Sequence, residues 1–195
     1  ASVGGMIAID FGDLKFPEIR RVTFNFEELG CALCIVDTGG NHADLTHEYA
    51  SIPQEMKSVA ALFGQETLRG LSMDALIEKA GMIREKCSDR ALLRAMHFLT
   101  ENDRVEKIVS TLEEKDYRRF LALITESGNS SFRYLQNVYA NRSPEEQGLS
   151  VALFLAEWFL RGQGACRVHG GGFGGTTQNF VPIDRVKDFC SLMES

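Results

Sequence analysis

The stretch Arg167-Val168-His169-Gly170-Gly171-Gly172-Phe173-Gly174-Gly175-Thr176-Thr177-Gln178 carries the strongest chemical signal in the sequence, with five glycines in six positions. Glycine loses more backbone freedom on folding than any other residue, so such a run marks backbone that a ligand or another segment approaches closely. Three arrangements use a run of this kind. A flexible linker is Gly-rich, but here Phe173 stands in the middle and short apolar segments flank the run. Gly170-x-Gly172-x-x-Gly175 also spells a dinucleotide fingerprint, which needs a βαβ unit of about 30 residues and an acidic residue about 20 positions further on. Thr176 to Val181 reads instead as another strand, and the sequence closes at Ser195. A strand-loop-strand whose successive N–H groups face one concavity, to bind phosphate or line a sugar, suits the residues best.

Other reactive side chains have weaker patterns. The five cysteines are Cys31, Cys34, Cys87, Cys166 and Cys190. Cys31-x-x-Cys34 lacks the second pair of a structural zinc site, and Ala32 to Val36 reads as a buried strand rather than the helix start of a redox pair. Reduced core or surface thiols are expected. His42 and His47 are five apart, whereas the helical zinc motif needs four with an adjacent glutamate, so no metal site is expected.

Strands at both ends surround a helical middle. Met6 to Phe11 and Arg21 to Phe26 have strand length and β-favouring residues, with Gly12, Asp13 and Pro17 between them. Ala32 to Val36 makes a third strand, and helix follows from Leu45 to Phe63, stopped by Gly64. Ser72 caps a helix whose Leu76, Ile77, Ala80 and Ile83 recur at helical spacing. Further helices are expected over Asp89–Leu112, Lys115–Val138 and Pro144–Leu160, the last capped by Ser143. In that helix Leu149, Leu153, Trp158 and Phe159 read as core. Strand, glycine loop, strand and a helix from Asp184 to Met193 close the chain. This order is α+β, one domain with an antiparallel sheet packed against a layer of helices on one side.

Composition narrows the function class. The 195 residues are 44% hydrophobic, enough for a sizeable core. Lysine and arginine number 21 against 27 acids, a net charge of −6 with no basic run. That argues against a nucleic-acid or anionic-membrane surface. No apolar stretch approaches a membrane span and the N-terminus lacks signal-peptide regions, so a soluble cytoplasmic protein is expected.

An ordered series of segments resembles the galactokinases, members of the GHMP small-molecule kinases. It comprises Val36-Asp37-Thr38-Gly39-Gly40-Asn41-His42, Tyr49, Ala95 to Val105, Asp116-Tyr117-Arg118-Arg119-Phe120, Thr125-Glu126-Ser127 and the glycine run, which is similar to the family's third motif. The resemblance covers essentially the whole chain. It implies the C-terminal domain of such a kinase, with a ferredoxin-like core, whose parent transfers the ATP γ-phosphoryl group to the anomeric hydroxyl of galactose or a related sugar. It further implies that the sugar and ATP with Mg²⁺ are shared with an N-terminal domain holding the phosphate-cradling motif and the catalytic aspartate. Ala1 to Gly5 resembles the stretch just after that aspartate, so this chain alone is expected to be inactive and to carry no catalytic residue. Within it, Tyr49 matches the tyrosine that hydrogen-bonds the sugar, against the plain reading of a helix-face tyrosine. Gly170, Gly171, Gly172, Phe173, Gly174 and Gly175 are expected to line the cleft. Asp37 and Asn41 either line the same cleft or simply form its turn.

The sequence departs from the family at three places. Ala50-Ser51-Ile52-Pro53 follows Tyr49, Arg133-Tyr134-Leu135-Gln136-Asn137-Val138 replaces the stretch expected after the Glu-Ser turn, and His169 replaces the threonine before the glycines. His169 reads either as a substrate contact or as a strand-end histidine with a local hydrogen bond. These departures bear on which sugar is used. A non-catalytic sugar-binding or regulatory module and a GHMP kinase of different substrate are the alternatives.

Overall fold

The computed structural model describes residues 6–13, 15–40 and 45–194. β1 (Met6–Asp10) and β2 (Glu18–Val22) form an antiparallel hairpin pairing Met6 with Val22 and Ile9 with Ile19. β2 ends earlier than expected because Asn25 caps a short helix, α1 (Phe26–Leu29), accepting a hydrogen bond from the Glu27 amide. Gly30 closes that turn in the left-handed region and the chain enters β3 (Cys31–Asp37).

α2 (Thr46–Ala61) follows. The helix expected from Ser72 divides at Lys79 into α3 (Met73–Glu78) and α4 (Ala80–Lys86), with Ser72 Oγ capping the Ala75 amide. α5 (Asp89–Glu113) is capped by Ser88. α6 (Tyr117–Ser130) starts at the Asp116 cap and runs into a π-helical turn (Ser131–Leu135), ended by Gln136 at φ 57°. The single helix expected to Val138 therefore stops short. α7 (Gly148–Leu160) also begins later than expected, because Ser143 and Pro144 spend their bonds on local turns: the Ser143 amide donates to Ala140, the Glu146 amide to Ser143, and Gln147 Nε2 to Pro144. β4 (Ala165–Val168), β5 (Thr176–Pro182), a 3₁₀ turn and α8 (Val186–Met193) complete the chain.

The fold is α+β with antiparallel sheets, as the element order implied, but the sheet is divided in two: the hairpin, and a three-stranded sheet ordered β3-β5-β4. Helices cover both faces of the larger sheet rather than one. Because strand side chains alternate, Cys31, Ala165 and Phe180 meet α5 and α6 through Val109, Leu112, Phe120 and Ile124. Cys166, Val168 and Val181 point the other way, onto Leu149, Leu153 and Phe189 of α7 and α8. Leu149 and Leu153 are core as expected, and Phe159 is partly buried beside them. Trp158 is not: it is 56% exposed on an outward face with Val151 and Phe154, and Arg161 lies over its ring. The helical register that buries Leu149, Ala152, Leu153, Ala156 and Leu160 turns Trp158 to the outside.

The β1–β2 hairpin carries apolar residues on both faces, with Arg20 and Arg21 between them. Met6, Ala8 and Val22 pack onto the α5–α6 core, while Ile7, Ile9 and Ile19 are exposed on the other side.

Candidate functional site

The glycine run is the loop that joins β4 to β5. Its base is zipped by the sheet register, Val168 opposite Thr177, and by the His169 amide donating to Thr176 O at 2.9 Å. Gly170, Gly172 and Gly175 have φ of 70°, 81° and 90°, a region glycine enters without strain. Phe173 adopts φ 60° without that freedom and is 5% exposed, so packing holds it there. Its ring lies among Leu45, Ala140 and Ile52, edge to face with Tyr49 at 5.5 Å. Phe173 pins a loop that is otherwise bare backbone.

Three elements grip that loop. From the second turn of α2, Tyr49 Oη donates to Gly172 O at 2.8 Å, and a Cβ on Gly171 would stand 2.6 Å from the Tyr49 ring. From the segment after the π-helical turn, the Asn137 carbonyl accepts from the Phe173 amide at 2.5 Å and Asn137 Nδ2 donates to Gly171 O at 3.1 Å. From the end of β3, the Thr38 amide and Oγ1 both donate to Gly175 O, at 2.9 and 2.7 Å. Gly40 packs so closely on the loop that a Cβ there would lie 3.2 Å from Gly174 Cα. A cavity of about 560 Å³ opens beside this junction, walled in part by Thr38, Gly40, Arg142, Glu146, Phe173 and Gly174. That volume suits a small ligand.

The structure thus brings Tyr49 and Gly171, Gly172 and Phe173 into one contact set, with Phe173 and Gly174 also facing the cavity. Tyr49 is absent from the cavity wall; it braces the loop from the side. Asp37 Oδ1 accepts from the Gly39 amide at 3.0 Å, the turn-forming role. Asn41 and His42 lie outside the described residues. His169 is exposed, with its Nδ1 3.2 Å from Gln178 Oε1, a local contact across the hairpin. Cys31 and Cys34, three apart on β3, point to opposite faces of the sheet, and burial raises both thiol pKa values.

Two polar clusters hold the supports in place. Arg94 on α5 is fully buried, its Nη1 donating to Ser51 Oγ and Glu55 Oε2 on α2, both at 2.9 Å, and its Nε to Leu135 O at 3.0 Å. It therefore joins the helix that carries Tyr49 to the turn that delivers Asn137. Beneath β4, Arg167 Nη1 donates to Ser127 Oγ, which donates to Glu101, itself ion-paired with Arg104. Burial first, then Arg104, lowers the Arg167 pKa. His97 lies beside Ser130, its pKa pushed down to about 4 by burial and then by Arg167 and Arg104, so it is neutral in the folded protein. Sequence reading singled out Ser127 only through its place in an ordered series. Arg94 and Asn137 had no local signal, because their partners lie 41 and 34 residues away.

Among curated proteins, the galactokinase of Streptomyces coelicolor is 34% identical over 187 residues, 94% of this chain and 45% of that protein. The chain is homologous to the C-terminal domain of the galactokinases. The Mycobacterium tuberculosis galactokinase is 30% identical over 96% of the chain and 47% of its own length, and that of Glaesserella parasuis 30% over 84% and 41%. The chain therefore spans less than half the length of the curated galactokinases it matches. The fold is that of Lactococcus lactis galactokinase, solved complexed with galactose: TM-score 0.73, 20% identity, covering 96% of this chain and 45% of that one. No family model matches the chain. Among the described residues no helix is long and apolar enough to cross a membrane.

Proposed function

We propose that this chain forms one wall of the substrate cleft of a galactokinase-like kinase, whose parent transfers the γ-phosphoryl group of ATP to the anomeric hydroxyl of galactose or a related sugar. The observation that carries this reading is the meeting of Tyr49 with the glycine loop, two features far apart in sequence that the family resemblance assigns to one cleft. Tyr49 contacts the sugar while bracing Gly172. The loop lines the cleft and supports the nucleotide-phosphate segment supplied by the other half of the parent.

The apolar outer face of the β1–β2 hairpin supports a second body covering it, since burying Ile7, Ile9 and Ile19 removes apolar surface from water. Phosphoryl transfer is largely positioning and electrostatic stabilisation. What this chain contributes is positioning: a clamped backbone loop and a closely fitted Thr38–Gly40 turn. Magnesium, when bound with ATP, neutralises charge on the phosphates. Among the described residues no group of three or more His, Cys, Asp or Glu converges to hold a metal.

ADP release by the parent across a panel of hexoses, with loss of the reducing end in the product, tests the reading. Turnover on galactose or a close epimer, and none with the 195-residue chain alone, is the expected result. No turnover by the parent on any sugar would favour a binding or regulatory module.

A further inference from the structure

We propose that Asn137 is the positioning residue of the glycine loop, holding Gly171 to Phe173 in the shape the assembled kinase uses; the proposal rests on the kinase reading above. Asn137 is 2% exposed and engages the loop twice, through its backbone carbonyl to the Phe173 amide and through Nδ2 to Gly171 O. The fit leaves no slack: a Cβ on Gly172 would lie 1.9 Å from the Asn137 carbonyl oxygen and 2.7 Å from Nδ2. Left-handed backbone stands on both sides of the contact. Gln136, at φ 57°, precedes Asn137, and Phe173, at φ 60°, receives its bond. Non-glycine residues persist in this region only where surrounding structure over-determines them, and they gather at working sites.

The local chain explains how Asn137 reaches the loop. The π-helical turn continues the end of α6 with a wider turn, a device frequent at functional sites. Arg94 fixes that turn through Leu135 O. Beyond it Val138 enters the apolar cluster under α7, while Ala140 packs beside Phe173. Asn137 thus sits between two apolar anchors with its amide directed at the loop. It belongs to the Arg133–Val138 segment in which the sequence departs from the galactokinase pattern. Tyr49 and Thr38 hold Gly172 O and Gly175 O, but neither holds Gly171 O or the Phe173 amide.

Asn137→Ala in the 195-residue chain, followed by amide hydrogen exchange, tests the hold. Loss of one neutral hydrogen bond is worth about 1 kcal/mol, so exchange across Gly171–Gly174 should rise about fivefold while β5 amides keep their protection. Should the alanine variant fail to fold, Asn137→Ser, whose hydroxyl is too short to span to Gly171, reports the same exchange. In the parent kinase either substitution should lower kcat about tenfold with a smaller change in sugar KM, because a misplaced loop weakens alignment more than binding. Unchanged loop exchange overturns the proposal. So does uniform loosening of the whole chain, which would make Asn137 a packing residue, and so does a loosened loop with wild-type kcat. If the unsubstituted parent turns over no sugar, the kinase reading fails and the positioning role falls with it, even where the exchange result shows that Asn137 grips the loop.

Discussion

Tyr49 and Gly172 are 123 residues apart, yet the phenol of one donates to the carbonyl of the other at 2.8 Å. The bond ties the second turn of α2 to the middle of the glycine loop, so any displacement of that helix is felt by the loop. Tyr49→Phe keeps the ring against Phe173 and Gly171 and removes the hydroxyl that donates to Gly172 O. It should cost about 1 kcal/mol in urea unfolding of the isolated chain. In the parent it should raise the sugar KM severalfold; an unchanged KM would leave Tyr49 as a brace alone.

The glycines of the loop are not equivalent. Gly170 and Gly172 both have positive φ, but a Cβ at Gly170 meets open space whereas one at Gly172 meets the Asn137 carbonyl at 1.9 Å. Gly170→Ala should therefore cost about 1 kcal/mol, the lower end of the range for left-handed non-glycine strain. Gly172→Ala must in addition push Asn137 away and should cost at least about 3 kcal/mol, within the range of overpacking and strain combined. Paired urea titrations of the two variants measure the difference, and equal losses would contradict the described geometry.

Arg94 is a buried cation whose nearest carboxylate, on Glu55, also pairs with Arg90. Removing one member of a buried pair leaves an uncompensated charge, which typically costs 3–5 kcal/mol. Because Arg90 remains to partner Glu55, Arg94→Met should fall at the low end, about 3 kcal/mol. The double variant with Glu55→Met should recover part of that loss, since well-packed apolar residues often replace a buried pair without penalty. A strictly additive double variant would show that the two side chains do not act as a unit.

His97 gives the chain a built-in acid sensitivity. Its folded pKa of about 4 lies below the ordinary 6.5, so between these values the unfolded state binds more protons and stability rises with pH. The contribution is complete above about pH 6.5 and is lost as pH falls towards 4, amounting to roughly 3 kcal/mol at the acid end. His97→Gln should flatten the pH dependence of the urea midpoint across this window, with the remaining slope belonging to the carboxylates.

Much of the architecture is legible in local pattern. The caps Ser72 and Ser88 stand where their side chains accept the amides of Ala75 and Ala91, and Gly64 ends its helix with positive φ. The strand-loop-strand around the glycine run follows from short β-favouring segments on either side. These features are set by residues within a few positions of one another, which is why composition and spacing reveal them. Trp158 shows the limit of such reasoning: an aromatic on an apolar helix reads as core until the packing direction of α7 is known.

The ordered residues by themselves determined the α+β class, the glycine loop as a point of close approach, and the resemblance that the galactokinase homologues bear out. Only the tertiary structure decided that the sheet divides in two with helices on both faces, and that Tyr49, Asn137 and Thr38 converge on one loop. Those contacts join segments 34 to 137 residues apart. Sequence periodicity says which side of an element is apolar, but not which distant backbone carbonyl lies within reach of an amide or hydroxyl. That depends on where packing carries whole helices and strands.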